Sequence, residues 1–145
     1  MTTNYIDAID EMFSLFLADW KAKTTAIVGY VPVIFWPGDK KEPDISKYFC
    51  KVSQQTVNEE QTALKSKNKR YENNGLLFVQ IFCPSSDVAA SSKGALLAVV
   101  ARNAFRGKKT SGGVVFHNVR IQELPAKDNS ERFNVVSEYE YDELT

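Results

Sequence analysis

Four sets of side chains in this 145-residue chain are of types that could do chemistry. They are one histidine, His117; two cysteines, Cys50 and Cys83; a row of carboxylates at every second position, Glu138, Glu140 and Asp142; and a basic run, Lys65, Lys67, Lys69 and Arg70. His117 stands in a strand pattern with no serine or cysteine nucleophile beside it, so neither a hydrolytic triad nor an imidazole metal site has a second member to build on. The cysteines fall in separate strand patterns, without CxxC spacing, and read as two small buried hydrophobes rather than a redox or metal pair. A disulfide between them would be unexpected in a cytoplasmic product. Gly75 closes a turn and Gly112-Gly113 precedes a strand, so no glycine pattern of the phosphate-cradling kind is present. The acidic row, or Asp7, Asp10 and Glu11, could flank a substrate, yet nothing marks them as a buried pair, and exposed carboxylates are the ordinary case. The expectation is a protein that is not an enzyme and needs no cofactor or metal.

Eighteen basic and eighteen acidic residues with 43% hydrophobic content describe an ordinary globular chain rather than one that wraps nucleic acid electrostatically. The length suits one compact domain, 1–145, with a real core. No apolar run approaches the roughly 20 residues of a membrane span. The opening Met-Thr-Thr-Asn-Tyr-Ile-Asp has neither the basic start nor the apolar core of a secretion signal, so the expected place of work is the cytoplasm or a particle assembled there.

The elements that must position these groups are organised around residues 71–105. Leu76, Leu77, Phe78, Val79, Ile81, Phe82 and Cys83 make a run apolar on both faces. Such a strand is central and is covered on both sides, or by helices on one side and a partner on the other. Pro84 ends it, and Ser85, Ser86 or Asp87 can cap the helix that follows to Phe105. That helix is apolar almost all round, so something must also cover its outer flank.

Before this unit, Tyr5, Ile6, Ile9, Met12, Phe13, Phe16, Leu17 and Trp20 recur at three- and four-residue steps and predict an amphipathic helix over 3–22. Residues 30–36 form a short strand that Pro32 places at a sheet edge or marks at its entry point, and 48–53 alternate as a half-buried strand. Residues 53–74 are polar, either a long β-hairpin arm or a loop, and too poor in apolar side chains to order without a neighbouring subunit. After the second helix, 114–124 and 132–141 read as a hairpin. If Leu124 faces Arg132, then Val115, Val119, Ile121, Val135, Tyr139 and Tyr141 share the core face, while Asn118, Arg120, Gln122, Asn134, Glu138 and Glu140 fall on the polar one. The fold class is therefore α+β, one domain in the order α-β-β-β-α-β-β. Its sheet is mixed and mostly antiparallel, with two helices packed on one face.

Arg70-Tyr71 leading through Gly75 into Leu77-Phe78-Val79-Gln80-Ile81-Phe82-Cys83-Pro84, then a helix, then Gly113-Val114-Val115-Phe116 and a last strand from Val135 to Tyr141, resembles the tail terminator proteins of long-tailed bacteriophages. The resemblance implies a virion structural protein. It would form a homohexameric ring that caps the tail tube, stops its polymerisation and offers a surface to the head-side connector. Its partners would be its own copies, the major tail tube protein, the connector, and DNA passing through the channel. Another head–tail joining or minor tail protein of similar fold is the alternative, and a nucleic-acid-binding module using the basic arm is a third reading. Under the first reading, Lys65, Lys67, Lys69 and Arg70 either pair with Glu138, Glu140 and Asp142 of an adjacent copy or face the channel.

Overall fold

A computed structural model of the chain describes residues 3–63, 70–127 and 130–144. The first helix, α1 (Tyr5–Lys23), starts where Asn4 accepts a hydrogen bond from the Asp7 amide at 2.8 Å. It ends where the Thr24 hydroxyl donates to the Trp20 carbonyl at 2.6 Å. Ala8, Met12, Phe16 and Trp20 repeat every fourth residue and are fully buried. Tyr5 and Ile6, expected on the same stripe, lie exposed on the first turn. A short helix that the sequence reading did not anticipate, α2 (Thr25–Val28), follows and stops at Gly29, whose φ of 85° favours glycine.

The strands are β1 (Val33–Phe35), β2 (Phe49–Ala63), β3 (Arg70–Phe82), β4 (Val115–Lys127) and β5 (Ser130–Leu144), with α3 (Ala90–Phe105) between β3 and β4. They form one sheet in the order β1-β2-β3-β5-β4. β1 runs parallel to β2, and every other pairing is antiparallel. β3 is the middle strand, as its two-sided apolar run requires. β1 is an edge strand, and Pro32 stands just before it, at its entry. The expected order holds with α2 added.

Both long helices lie on the same face. The Phe16 and Phe105 rings stack at 5.9 Å, joining α1 to α3, and Phe105 meets Phe116 of β4 at 5.1 Å. Beneath them lie Cys50, Val52, Leu77, Val79, Ile81 and Val135 of the sheet. Gly94 lets α3 sit close at this point, because a Cβ there would meet the Phe133 ring at 2.5 Å and Cys83 Sγ at 2.6 Å.

Two expectations need correction. Of the two readings of the polar arm, hairpin and loop, the described residues follow the first, and it is the need for a neighbouring subunit that is corrected: residues 53–63 and 70–74 continue β2 and β3 in an antiparallel ladder, and 70–74 also pair with β5. Backbone pairing on both sides of β3 orders residues whose side chains bury little. In the second correction, Leu124 does face Arg132, but Val115 pairs with Glu140 on the polar face rather than joining the core. The register shifts between His117 and Arg120, where Asn118 takes a φ of 50°, and this bulge exchanges the faces of the residues before it. Phe116 takes the core place.

Candidate assembly surface

The sheet face away from the helices carries the features that ask for a partner. Along β3, Leu77, Val79 and Ile81 point to the helices and are inaccessible, while Leu76, Phe78 and Phe82 point the other way and are half-buried. The β2–β3 register places Phe49 beside Phe82 with stacked rings 4.8 Å apart, and the Phe35 ring reaches diagonally to Phe49 at 5.6 Å. Val136 stands opposite Phe78. Lys51 Nζ lies 5.4 Å from the Phe82 ring centre. Phe49 and Val136 are themselves closed off by their neighbours, while Leu76, Phe78 and Phe82 keep part of their surface accessible. Accessible apolar side chains grouped on one sheet face are the kind of surface a partner covers. The sequence signal for it was the run 76–83, apolar at both parities. One parity belongs to the core, and the other is left facing outward.

Towards the opposite end of the same face stand the carboxylates. Glu138, Glu140 and Asp142 project from β5, and Glu72 from β3 pairs with Asp142. The sequence offers this row as a partner for the basic run of another copy, the channel being the other place for that run. Within one subunit the row already has partners. Arg70 forms an ion pair with Asp142, His117 Nε2 lies 3.0 Å from Glu140, Asn118 Nδ2 donates to Glu138 at 2.8 Å, and Arg120 lies 3.7 Å from Glu138. Arg120 and His117 both come to the row because the bulge at Asn118 shifts the register between them and turns both side chains to the same face. These exposed pairs are worth about 0–1 kcal/mol each. Lys65, Lys67 and Lys69 lie outside the described residues.

The carboxylates near the start of α1 do structural duty. Asp7, Asp10 and Glu11 border an open groove with Ser111 and Gly112. Glu11 accepts from the Gly112 amide, from Ser111 Oγ at 3.0 Å and from Thr3 Oγ1 at 3.3 Å. Partial burial pushes its carboxyl up, but the bonds from Gly112 and Ser111 outweigh this and hold it below the usual range. Glu11 is therefore an ionised fastener between α1 and the turn into β4, unsuited to acid catalysis at neutral pH. Cys50 and Cys83 are both buried and unbridged, and burial pushes the Cys83 thiol up to about 12. Among the described residues, no group of three or more His, Cys, Asp or Glu side chains is placed to hold a metal ion. No helix there is long and apolar enough to cross a membrane.

The architecture defines a class: a single α+β domain with one face of its sheet closed by two helices and the other open. No protein-family model matches the chain, and no curated protein sequence matches it. Solved structures do share its fold. One, of a protein identified only by a sequence label, superposes with a TM-score of 0.62 at 13% identity, covering 91% of this chain and 94% of that one. Another is a chain from the virion of a native gene transfer agent particle, with a TM-score of 0.58 at 13% identity, covering 92% of each chain. At this identity the likeness is one of fold.

Proposed function

We propose that this chain is a structural subunit of a phage-like particle, and specifically a tail terminator. In this role it forms a ring that caps the tail tube, stops its polymerisation and presents a surface to the head-side connector. The observation that carries the reading is the end-to-end fold likeness to a chain of a gene transfer agent virion, covering 92% of both chains. The open sheet face supports it, since a subunit with large homotypic contacts must leave apolar surface unburied when alone. The same reading gives the chain no catalytic chemistry and makes its partners other proteins, with DNA passing through the ring's channel during packaging and ejection. It places the protein at the head-proximal end of the tail, after assembly in the host cytoplasm. Fold alone does not fix function, so the decisive test is functional. Tube subunits from the same particle, polymerised with and without this protein, are measured by electron microscopy. The expected result is tubes of bounded length with a ring at one end. Unbounded tubes and no end-bound ring would remove the terminator reading and favour another joining protein of the same fold.

A further inference from the structure

The two edges of the sheet are unlike. Along the β4 edge the main chain is occupied or blunted: Lys109 bridges to Val115, Arg106 donates to the Val119 carbonyl at 2.8 Å, the bulge at Asn118 interrupts the strand, and Pro125 has no amide to offer. At the other edge β1 covers only Phe49, Cys50 and Lys51 of β2. Beyond Lys51, among the described residues, no backbone pairs with the outer side of β2, although its inner side stays paired with β3. Residues 52–61 read Val-Ser-Gln-Gln-Thr-Val-Asn-Glu-Glu-Gln, with no proline and no cation, the residues that ordinarily make an edge unfit for pairing. Only the bulge at Val57 interrupts them. They span roughly 30 Å at about 3.3 Å per residue, room for a strand of ordinary length.

The same stretch carries unmet charge. Glu59 and Glu60 are exposed and form no ion pair among the described residues. Glu60 stands opposite Glu72, and Glu72 opposite Asp142, so three carboxylates lie side by side on the open face, with Arg70 paired to Asp142 at the far end. Like charges directly opposite each other are destabilising, and a cation on the free side of Glu60 would relieve them. Glu59, opposite Asn73, points to the helix side. There an open groove of about 550 Å³ runs beside the start of α1, lined by Tyr5, Thr56, Val57, Asn58 and Glu59. A strand laid along β2 sends successive side chains to alternate faces, so two consecutive residues of it would stand beside Glu60 and Glu59. The exposed Tyr5 ring offers an aromatic face to a cation on the groove side.

We propose that the outer edge of β2 at residues 52–61 is a strand-addition site, which takes an extended segment of another polypeptide carrying two consecutive basic residues. Main-chain hydrogen bonds hold the segment, and Glu60 and Glu59 select its charge. A second copy of this chain matches the site less well. Of the consecutive bases among the described residues, Lys108 is already paired with Asp19, and Lys40-Lys41 is flanked by Asp39 and Glu42. The contact does not depend on whether the chain ends a tail tube.

The test uses the purified full chain and a synthetic probe, the peptide amide Thr-Val-Thr-Lys-Arg-Thr-Val-Thr, beside the same peptide with Glu-Glu at its centre. Amide hydrogen exchange is followed by NMR, residue by residue. In the free chain the amides of 52–61 that point away from β3 should exchange freely. Saturating Lys-Arg peptide should slow them at least tenfold and leave the β4 edge unchanged, and the Glu-Glu peptide should bind at least tenfold more weakly. Glu59→Lys with Glu60→Lys should reverse that preference. The melting temperature of this variant should not fall, because both positions are exposed and the change at 60 sets a cation beside Glu72. No slowing at 52–61 with millimolar peptide would overturn the site. Slowing with no preference between the peptides, or with a preference that the charge-reversed chain keeps, would overturn the basic partner. Outward amides already protected in a chain that sediments as an oligomer would assign the edge to a second copy and overturn the proposal.

Discussion

The Tyr48 hydroxyl donates to Asp87 Oδ2 at 2.8 Å, tying the start of β2 to the loop that launches α3. The same carboxylate accepts from the Ala89 amide at 2.9 Å and from Lys93 Nζ at 3.3 Å. The Ala89 bond, followed by that of Tyr48, holds its carboxyl below the ordinary value of 3.8. A depressed folded-state pKa stabilises the fold at pH above the unfolded value, and the contribution fades as pH falls through the folded one. Asp87→Asn is therefore expected to lower the melting temperature at pH 7. The gap to wild type should narrow below about pH 4 and close below the folded-state pKa. An equal gap from pH 7 down to pH 2.5 would show that charge plays no part.

Phe16→Ala and Trp20→Ala should each destabilise by about 3–5 kcal/mol, because both side chains are fully buried and their removal leaves cavities. The tryptophan change carries an added cost, since the Pro32 carbonyl loses the indole N–H donated at 3.0 Å. Urea denaturation gives the measurement. Losses under about 1 kcal/mol would place these side chains outside the core.

Gly75→Ala should cost about 1–3 kcal/mol, since the new methyl group would run into the Gln55 carbonyl oxygen and the Tyr139 phenol. The carbonyl is backbone in a paired strand and cannot swing aside. Gly38→Ala tests a different cause: there a Cβ meets nothing within 4 Å and only the φ of 89° is at issue. Its cost should be about 1 kcal/mol. Equal melts for the two variants would contradict the steric reading of Gly75.

Neither cysteine should react with a thiol reagent in the native protein on the timescale of minutes at pH 8. Cys50 is fully buried and Cys83 is 3% exposed, and burial raises both thiols well above that pH. Two thiols should appear together on unfolding in urea. Fast labelling of one in native buffer would place it at the surface.

Much of the architecture was legible because periodicity is a local property. The four-residue step of Met12, Phe16 and Trp20 specifies a helix with one buried stripe, and the two-sided apolar run of 76–83 specifies a middle strand. Pro32 marked an edge or the entry of a strand, and the pairing of Leu124 with Arg132, supposed from the turn between them, is the one the hairpin adopts. The short helix at 25–28 left no such mark, being one turn without a periodic stripe. The acidic row could be found as a row, since a strand repeats every two residues.

What sequence periodicity could not supply were the relations between elements distant along the chain. The arm at 53–74 is too polar for its own composition to predict order. Its described residues, 53–63 and 70–74, are paired because β3 finds backbone partners on both sides, and β5 is supplied from sixty and more residues away. Val115 left the core for the polar face because a single bulge at Asn118 shifted the register, which alternation alone cannot locate. Within one chain Glu138, Glu140 and Asp142 meet Arg120, His117 and Arg70, since strand neighbours are fixed by topology and not by charge. The sequence by itself determined which residues are apolar and how often they recur. Only the tertiary structure decided which of the two apolar sides of β3 the helices would close, because helix packing can bury one face of a sheet and must leave the other for whatever binds it.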